Sequence, residues 1–179
     1  MTVLNCTSLF AQDFKIFFEH KFEGGDMIWS NTPSTTVIVE RKNDTVWRYV
    51  MENDKQIGDF LRIDKSGNLY YHAKIDHSIN YRKYELFDSS DSYKLSEWTS
   101  DRKTILGFDC YKVNLERTSV DNIGPVTTLY SMYVTKQINL PLHTVINITK
   151  YFDFFPLEII ISGFSLDGAV EHYKAKYEK

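Results

Sequence analysis

The sequence predicts a mainly β protein, an antiparallel curved sheet with little helix, and three observations lead to this fold class. Aromatic residues are abundant, with 12 Tyr, 12 Phe and 3 Trp among 179 residues, and such side chains favour pleated, half-buried surfaces. Apolar and polar residues alternate with a period of two along most of the chain. Short motifs of Asn, Asp and Gly separate the alternating stretches, as hairpin connections require.

Composition limits the number of domains and the classes of partner. A chain of this length can bury about 70% of its unfolded surface in one core, so we expect a single domain. The formal net charge of −3 argues against nucleic acid as a partner, because phosphate binding needs a basic field. No apolar run reaches the roughly 20 residues that a membrane-spanning helix needs. The sequence contains neither a CxxC pair nor HExxH, so it predicts no metal and no cofactor.

The first residues resemble the end of a secretory signal. Leu9, Phe10 and Ala11 precede Gln12, and a short apolar stretch followed by a small residue is typical of a cleavage site. The "FAQ" ending resembles that of exported Bacteroidota proteins. Residues 1–11 would then be a signal-peptide remnant and residues 12–179 one β-rich domain. The stretch is short and lacks Lys or Arg, so a frayed tail of a cytosolic protein is the alternative.

The alternation begins immediately after this segment. In residues 14–22, Phe14, Ile16, Phe18 and Phe22 share one face of the predicted first strand, which a Gly-Gly-Asp turn at 24–26 ends. Six more strands follow at short spacing: 35–41, 45–51, 56–63, 69–75, 83–87 and 93–98. Turns at 42–44, 52–54 and 65–68 join four of them. Asn, Asp and Gly tolerate the positive φ of tight hairpins.

The second half of the chain continues the pattern. Strands are predicted at residues 110–117, 127–135, 157–162 and 169–177. A turn at 165–168 connects the last two. The segment 140–155 fits either a short helix or a loop, because its apolar spacing is helical while its Thr, Val, Ile and Asn residues are poor helix formers.

Several strands are apolar on both faces. Trp47, Tyr49 and Met51 share one face of their strand, and Val46 and Val50 lie on the other. A flat sheet that packs on one side needs only one apolar face. We therefore expect a sheet that curls into a barrel or half-barrel, whose concave side is covered or lines a cavity.

One block carries a family resemblance. Trp98 precedes the stretch KTILGFDCYKVNLER at residues 103–117, which resembles the central block of the GLPGLI family of exported Bacteroidota proteins. The matching positions are Trp98, Ile105, Gly107, Phe108, Cys110 and Lys112. In the namesake motif, the chain keeps Pro156 and Leu157 but lacks both glycines, so it is similar to a divergent member. The resemblance implies export and a half-barrel akin to periplasmic lipoprotein carriers, and it brings no catalytic residue.

Within that block the residues also predict local structure. Gly107 is expected to make a turn or bulge. Tyr111, Val113 and Leu115 should face the core, and Trp98 is expected to cover one end of that core.

Few residues offer chemistry. The five histidines, His20, His72, His77, His143 and His172, show no metal-ligand spacing. Cys110 could act as a nucleophile if a His met it across strands, could pair with Cys6, or could be a small buried hydrophobe.

Two aromatic groups are the candidate ligand-binding residues. The first could line an apolar cavity or form a packed core, and consists of Trp47, Tyr49, Tyr70, Tyr71, Tyr130 and Tyr133. The second is the run 151–156, in which four aromatics cannot all face one core. Some of them should be exposed or cover an opening, so we expect the run to form a ligand lid or a partner patch. Its candidate ligand-binding residues are Phe152, Phe154 and Phe155.

These features predict a non-enzymatic protein that binds or escorts an apolar ligand, such as a lipid or lipidated chain, in the periplasm or at the outer membrane. The alternative is an accessory subunit of an outer-membrane or secretion complex, docking through aromatics and sheet edges. A hydrolase is the third hypothesis, and it needs His or Cys and carboxylates to converge.

Overall fold

The computed structural model describes residues 13–25, 32–75, 78–84, 91–121 and 124–177. Within these ranges the chain forms eleven strands and one short 3-10 turn. The strands are β1 Phe14–Glu23, β2 Thr35–Lys42, β3 Thr45–Glu52, β4 Lys55–Ile63, β5 Leu69–Ile75, β6 Ser78–Tyr84, β7 Ser92–Ile105, β8 Phe108–Asp121, β9 Gly124–Thr135, β10 Phe155–Ser162 and β11 Val170–Lys176. The 3-10 turn is Leu142–Thr144.

All eleven strands belong to one antiparallel sheet, in the order β6-β5-β4-β3-β2-β1-β11-β10-β9-β8-β7. The first and last strands pair at its centre, with Phe18 opposite Ala175. Each half of the chain is thus a meander, and the two meanders join through β1 and β11. The predicted fold class, a mainly β antiparallel curved sheet with little helix, is confirmed.

Most predicted strands agree with the structure, and two regions differ. The strand predicted at 83–87 overlaps β6 only at its end, because β6 occupies Ser78–Tyr84 and pairs with β5 from Ile75 opposite Ser78. Residues 85–87 lie outside the described ranges. β7 and β8 extend well beyond the predicted 93–98 and 110–117. Their added residues are largely polar and solvent-facing, so no apolar alternation marks them.

The predicted turns adopt the backbone that their residues allow. Asn43 and Asp44 have φ of 50° and 59°, and Asn53 and Asp54 have φ of 48° and 60°. Two successive positive φ values are the requirement of a type I′ hairpin turn. Gly107 also has positive φ, 82°, and makes the turn between β7 and β8 as predicted.

One face of the sheet, called here the inner face, packs on the crossover between β9 and β10. Buried inner-face side chains come from both meanders: Ile16, Phe18, Val37, Val39, Val46, Leu61, Val113, Leu115, Met132, Val134, Ile159 and Ile161. Phe18 is 0% exposed, and its ring centroid lies 6.2 Å from that of Phe155. Burying this apolar area, mostly aliphatic with Phe18 and Phe155 at its centre, is the main stabilising term of this core.

The crossover, residues 136–154, is the cover segment. It is a loop with a single 3-10 turn, which answers whether residues 140–155 are helix or loop. Its buried side chains are Ile138, Leu140, Leu142, Val145, Ile146, Ile148, Phe152 and Phe154. Arg48 on β3 donates hydrogen bonds to the Val145 carbonyl (3.0 Å) and to Asn147 Oδ1 (2.8 Å). The sheet's own connection therefore fills the middle of the inner face.

Candidate functional site

An open cavity of about 370 Å³ lies at one end of the sheet, where β1 begins and β2 and β11 end. We call it the entrance cavity. Its apolar wall comes from β1, from the β7–β8 hairpin and from the start of the cover segment: Phe14, Ile16, Phe17, Leu106, Phe108 and Ile138. This volume lies at the low end of ligand sites, roughly 300–1,000 Å³. It offers room for one apolar chain segment.

Local structure brings these distant segments together. Phe14 and Ile16 are two residues apart on β1 and therefore share the inner face. The tight turn at Gly107 directs the β7–β8 hairpin tip toward the same end. The Asp109 backbone N–H donates to Gln137 Oε1 (2.8 Å), which ties that hairpin to the cover segment. The cavity thus depends on three parts of the chain that are far apart in sequence.

Cations border the cavity. Arg41, Lys15 and Lys176 line it together with Gln137 and Asn139, and no carboxylate belongs to the described lining. Arg41 lies opposite Phe14 in the β1–β2 register. Its side chain is only 17% exposed and donates from Nη2 to Asp44 Oδ1 at 3.1 Å. An apolar wall with a cationic rim can hold an apolar chain and tolerate negative charge at its outer end.

A hydrogen-bonded chain of polar side chains crosses the inner face at the opposite end. His20 Nδ1 lies 2.8 Å from Thr35 Oγ1, and His20 Nε2 lies 2.8 Å from Glu171 Oε1. Tyr173 donates to the same Glu171 oxygen at 2.6 Å and stacks on His20 with a centroid distance of 4.5 Å. Burial and the Glu171 carboxylate raise the pKa of Tyr173. The arrangement links β1, β2 and β11, and its hydroxyl–imidazole–carboxylate order is that of a hydrolytic relay.

His143, in the 3-10 turn of the cover segment, and Arg48, on β3, interact electrostatically. Burial and, to a smaller extent, the Arg48 guanidinium lower the pKa of His143 to about 4. Burial also lowers the pKa of Arg48. His143 Nδ1 is buried and accepts or donates no hydrogen bond among the described residues. Neutral His143 is therefore the form that the fold stabilises.

The predicted aromatic group is divided between the two faces of the sheet. Trp47, Tyr49 and Tyr70 lie on the outer face. There the Trp47 ring lies 5.9 Å from Phe60, and the Arg62 guanidinium lies 5.7 Å from Trp47 and 4.6 Å from Tyr70. Trp47, Tyr49 and Phe60 border a shallow groove of about 360 Å³. This groove and the entrance cavity are separate.

The remaining predicted ligand residues lie elsewhere. Tyr130 is buried on the inner face, beside Arg117. Tyr133 is on the outer face and donates to Asp101 Oδ1 at 3.0 Å, with the Lys103 ammonium 3.7 Å from its ring centroid. The following residues of the aromatic run are buried in the core: Phe152, Phe154 and Phe155. Tyr151 is the member of that run that faces solvent, at 60% exposure.

The motif positions are mostly structural in this fold. Trp98 was expected to cover an end of the core, and this is wrong. It is 45% exposed on the outer face of β7, next to the pairing irregularity between Trp98 and Arg102. The inner-facing position of that strand pair belongs to Glu97, opposite Val113.

The other motif residues pack or turn. Ile105 and Phe108 are partly buried against the core, whereas Pro156 is buried and Leu157 fully so. Lys112 Nζ lies 3.8 Å from Asp101 Oδ2. Tyr111, Val113 and Leu115 face the core as predicted.

Cys110 is a free thiol that is 1% exposed. Its burial raises its pKa to about 11, which makes the thiolate nucleophile scarce at neutral pH. Cys6, the other half of the predicted alternative disulfide, lies outside the described residues. The structure thus favours the small-hydrophobe interpretation of Cys110.

The described residues contain neither a metal cluster nor a membrane-spanning helix. Among the described residues, no group of three or more His, Cys, Asp and Glu side chains could hold a metal ion; His77 is not among them. In the same part of the chain, no helix is long and apolar enough to cross a membrane.

Sequence reasoning missed the entrance cavity as a site. It placed Phe14 and Ile16 on the correct face of β1, yet gave no reason to associate them with Leu106 or Ile138. Apolar–polar alternation shows which side chains of a strand face the cavity wall. It does not show which distant segments of the chain contact them there. The basic positions Lys15, Arg41 and Lys176 were a possible signal, but only the register reveals that they share one end of the sheet.

Comparisons with known proteins give structural likeness only. No family model and no curated protein matches the chain, so the resemblance to the GLPGLI family stays a prediction. The chain is similar to the crystal structure of the Mycobacterium tuberculosis lipoprotein LppX, at 11% identity and a TM-score of 0.38, covering 90% of this chain and 84% of that one. It is also similar to a LolA superfamily protein from Nitrosomonas europaea, at 12% identity and a TM-score of 0.41, covering 95% and 86% of the two chains.

Proposed function

We propose that the protein binds one apolar chain of a lipid-like molecule in the entrance cavity and carries it chemically unchanged. The observation that carries this proposal is an apolar cavity of about 370 Å³ that opens at one end of the sheet. The middle of the inner face is occupied by the cover segment. A ligand therefore enters at the end and contributes one chain, since a whole diacyl lipid exceeds the space.

Burial of the ligand's apolar chain supplies the free energy of binding. Each CH₂ group taken from water contributes about 0.8 kcal/mol, which is roughly a fourfold gain in affinity. The gain stops when the cavity is full. Affinity that rises with chain length and then levels off is thus the signature of a bounded cavity.

A series of neutral 1-alkanols of increasing length, measured by isothermal titration calorimetry, tests the proposal. We expect roughly fourfold tighter binding per CH₂, followed by a plateau. Phe14→Gln should weaken binding because Phe14 lines the cavity. Phe22→Gln is the matched control: it lies on the same face of β1 but belongs to the other end of the strand. Binding that ignores chain length, or that both variants weaken equally, contradicts the proposal.

We also propose that the carrier works in the cell envelope of a Bacteroidota-type cell, as the GLPGLI-like block and the FAQ stretch suggest. Native mass spectrometry of the protein isolated from the host envelope tests this. A mature chain that begins at Gln12 and carries a lipid-sized mass is the expected result. Recovery from the cytosol of a chain that keeps Met1 contradicts the envelope location.

The outer face favours a second candidate function, an accessory subunit of an envelope complex. The groove beside Trp47, Tyr49 and Phe60 presents aromatic side chains of the kind enriched at protein interfaces. In the same native spectrum, a stable larger assembly that Trp47→Ala dissociates would support this function. A bare monomer would argue against it.

The hydrogen-bonded series Thr35–His20–Glu171 is the arrangement on which the hydrolase hypothesis can be tested. In that role His20 would take the Thr35 proton, and Glu171 would orient the imidazole. Hydrolysis of p-nitrophenyl esters that His20→Ala abolishes would support it. If wild type and variant are equally inactive, the series is a structural link between three strands.

A further inference from the structure

We propose that the ligand of the entrance cavity is an anionic amphiphile. Its apolar chain lies inside, and a carboxylate or phosphate head lies at the rim against Arg41, Lys15 and Lys176. This inference rests on the proposed function and adds the chemical class of the ligand.

The charge that lines the cavity is positive, whereas the net charge of the whole protein is negative. The sequence has 24 acidic and 21 basic residues, yet the described lining contains three cations and no carboxylate. A local cationic field beside a low-dielectric wall attracts anions, since such walls weaken solvent screening. A neutral ligand alone would gain little from this arrangement.

Two of the cations are positioned to act together. Lys176 lies opposite Phe17 in the β1–β11 register, and Lys15 is two residues before Phe17, so both lysines are on the outer face. Side chains in this diagonal relation have backbones about 7–8 Å apart, so both ammonium groups can reach one anion. The two lysines meet Arg41, which is on the inner face, at the cavity where the strands begin and end. The Lys15 ammonium lies 5.0 Å from the Phe17 ring centroid, which holds it at the rim. Among the described residues, neither lysine forms an ion pair.

Arg41 supplies the third cation from within the wall. It lies directly opposite Phe14 on the inner face, so its guanidinium borders the space that an apolar chain would occupy. Asp44 engages Nη2, and the other guanidinium donors can bind a carboxylate or phosphate. The other carboxylate near this turn, Asp13, is exposed and accepts from the Asn43 N–H at 3.1 Å.

Titrations with ligands of one chain length and different heads test the inference. The probes are dodecanoate, dodecyl phosphate, 1-dodecanol and dodecyltrimethylammonium, the ionic probes below their micelle concentrations and the alcohol below its solubility limit. We expect the anions to bind roughly tenfold more tightly than the alcohol at low salt, and this advantage to shrink at high salt. The cationic probe should bind more weakly than the alcohol. The ratio between dodecanoate and dodecyl phosphate identifies the preferred head.

Variants assign the effect to the rim. The double variant Lys15→Gln, Lys176→Gln should remove most of the anion advantage, measured within each variant as the ratio of dodecanoate to 1-dodecanol affinity, and Arg41→Gln should reduce that ratio. Lys174→Gln is the matched control, because this lysine is exposed on the same face of β11 but does not line the cavity. Equal binding of alcohol and anions overturns this inference and leaves the proposed function standing. Failure of all four probes to bind overturns both.

Discussion

Acidification should destabilise the protein through His143. This side chain lies in the 3-10 turn of the cover segment, is 7% exposed, and has a buried Nδ1 without a partner among the described residues. Protonating it would place a second cation near Arg48 in a poorly solvated site. Burial and this guanidinium lower its pKa from 6.5 to about 4.

The magnitude follows from proton linkage. Because the folded pKa is the lower one, the unfolded chain binds more protons between pH 6.5 and about pH 4, and stability falls as the pH falls through this window. The two pKa values differ by about 2.5, so the complete loss is roughly 3 kcal/mol. Between about pH 7.5 and about pH 5, the part already lost is roughly 2 kcal/mol.

Urea unfolding at these two pH values measures the effect. His143→Gln cannot titrate, so its free energy of unfolding should fall by roughly 2 kcal/mol less than that of the wild type over the same interval. His172→Gln is the control, since that side chain is 25% exposed and lies 3.3 Å from Glu23. Burial also lowers the pKa of His72, which contributes equally to wild type and variants. An identical pH dependence in wild type and His143→Gln would refute the reasoning.

Three further predictions concern packing, backbone and thiol chemistry. Phe18→Ala should lower the free energy of unfolding by about 3–5 kcal/mol in urea titrations, because the ring is fully buried. Gly163→Ala should destabilise the protein more than Gly168→Ala. Both glycines have positive φ, but only at Gly163 would a Cβ lie 2.5 Å from the Thr127 carbonyl oxygen. Equal thermal midpoints of the two variants would contradict this. Cys110 should react with a thiol reagent only after denaturation. Rapid labelling of Cys110 itself in the native protein would contradict its burial.

The local pattern of the strands was accessible from sequence. Period-two alternation identified the inner face of β1, and the Asn-Asp pairs at 43–44 and 53–54 identified two hairpin turns, because side-chain direction and backbone φ are properties of neighbouring residues. Trp98 shows where this reasoning ends. The sequence shows a large apolar side chain, but the register places it on the outer face, opposite Lys112.

The site depended on information that alternation lacks. The entrance cavity needs the β7–β8 hairpin tip to meet the start of the cover segment, through contacts such as Asp109 with Gln137. Such pairing is decided by the whole sheet order and by the length of β7 and β8. β7 and β8 continue through polar residues, where apolar and polar side chains do not alternate. The position of the hairpin tip that joins these two strands therefore could not be predicted.

The cover segment links the stability of the core to the size of the cavity. Its far part is anchored beneath β3 by Arg48, and its first residues, including Ile138, form part of the cavity wall. A change that loosens the anchor, such as Arg48→Met, removes two hydrogen bonds from a charged donor and frees the cover to shift. If the cover sets the volume, this variant should accept longer alkanols than the wild type before affinity levels off. An unchanged chain-length limit would mean that the β1 and β7–β8 walls alone determine the space.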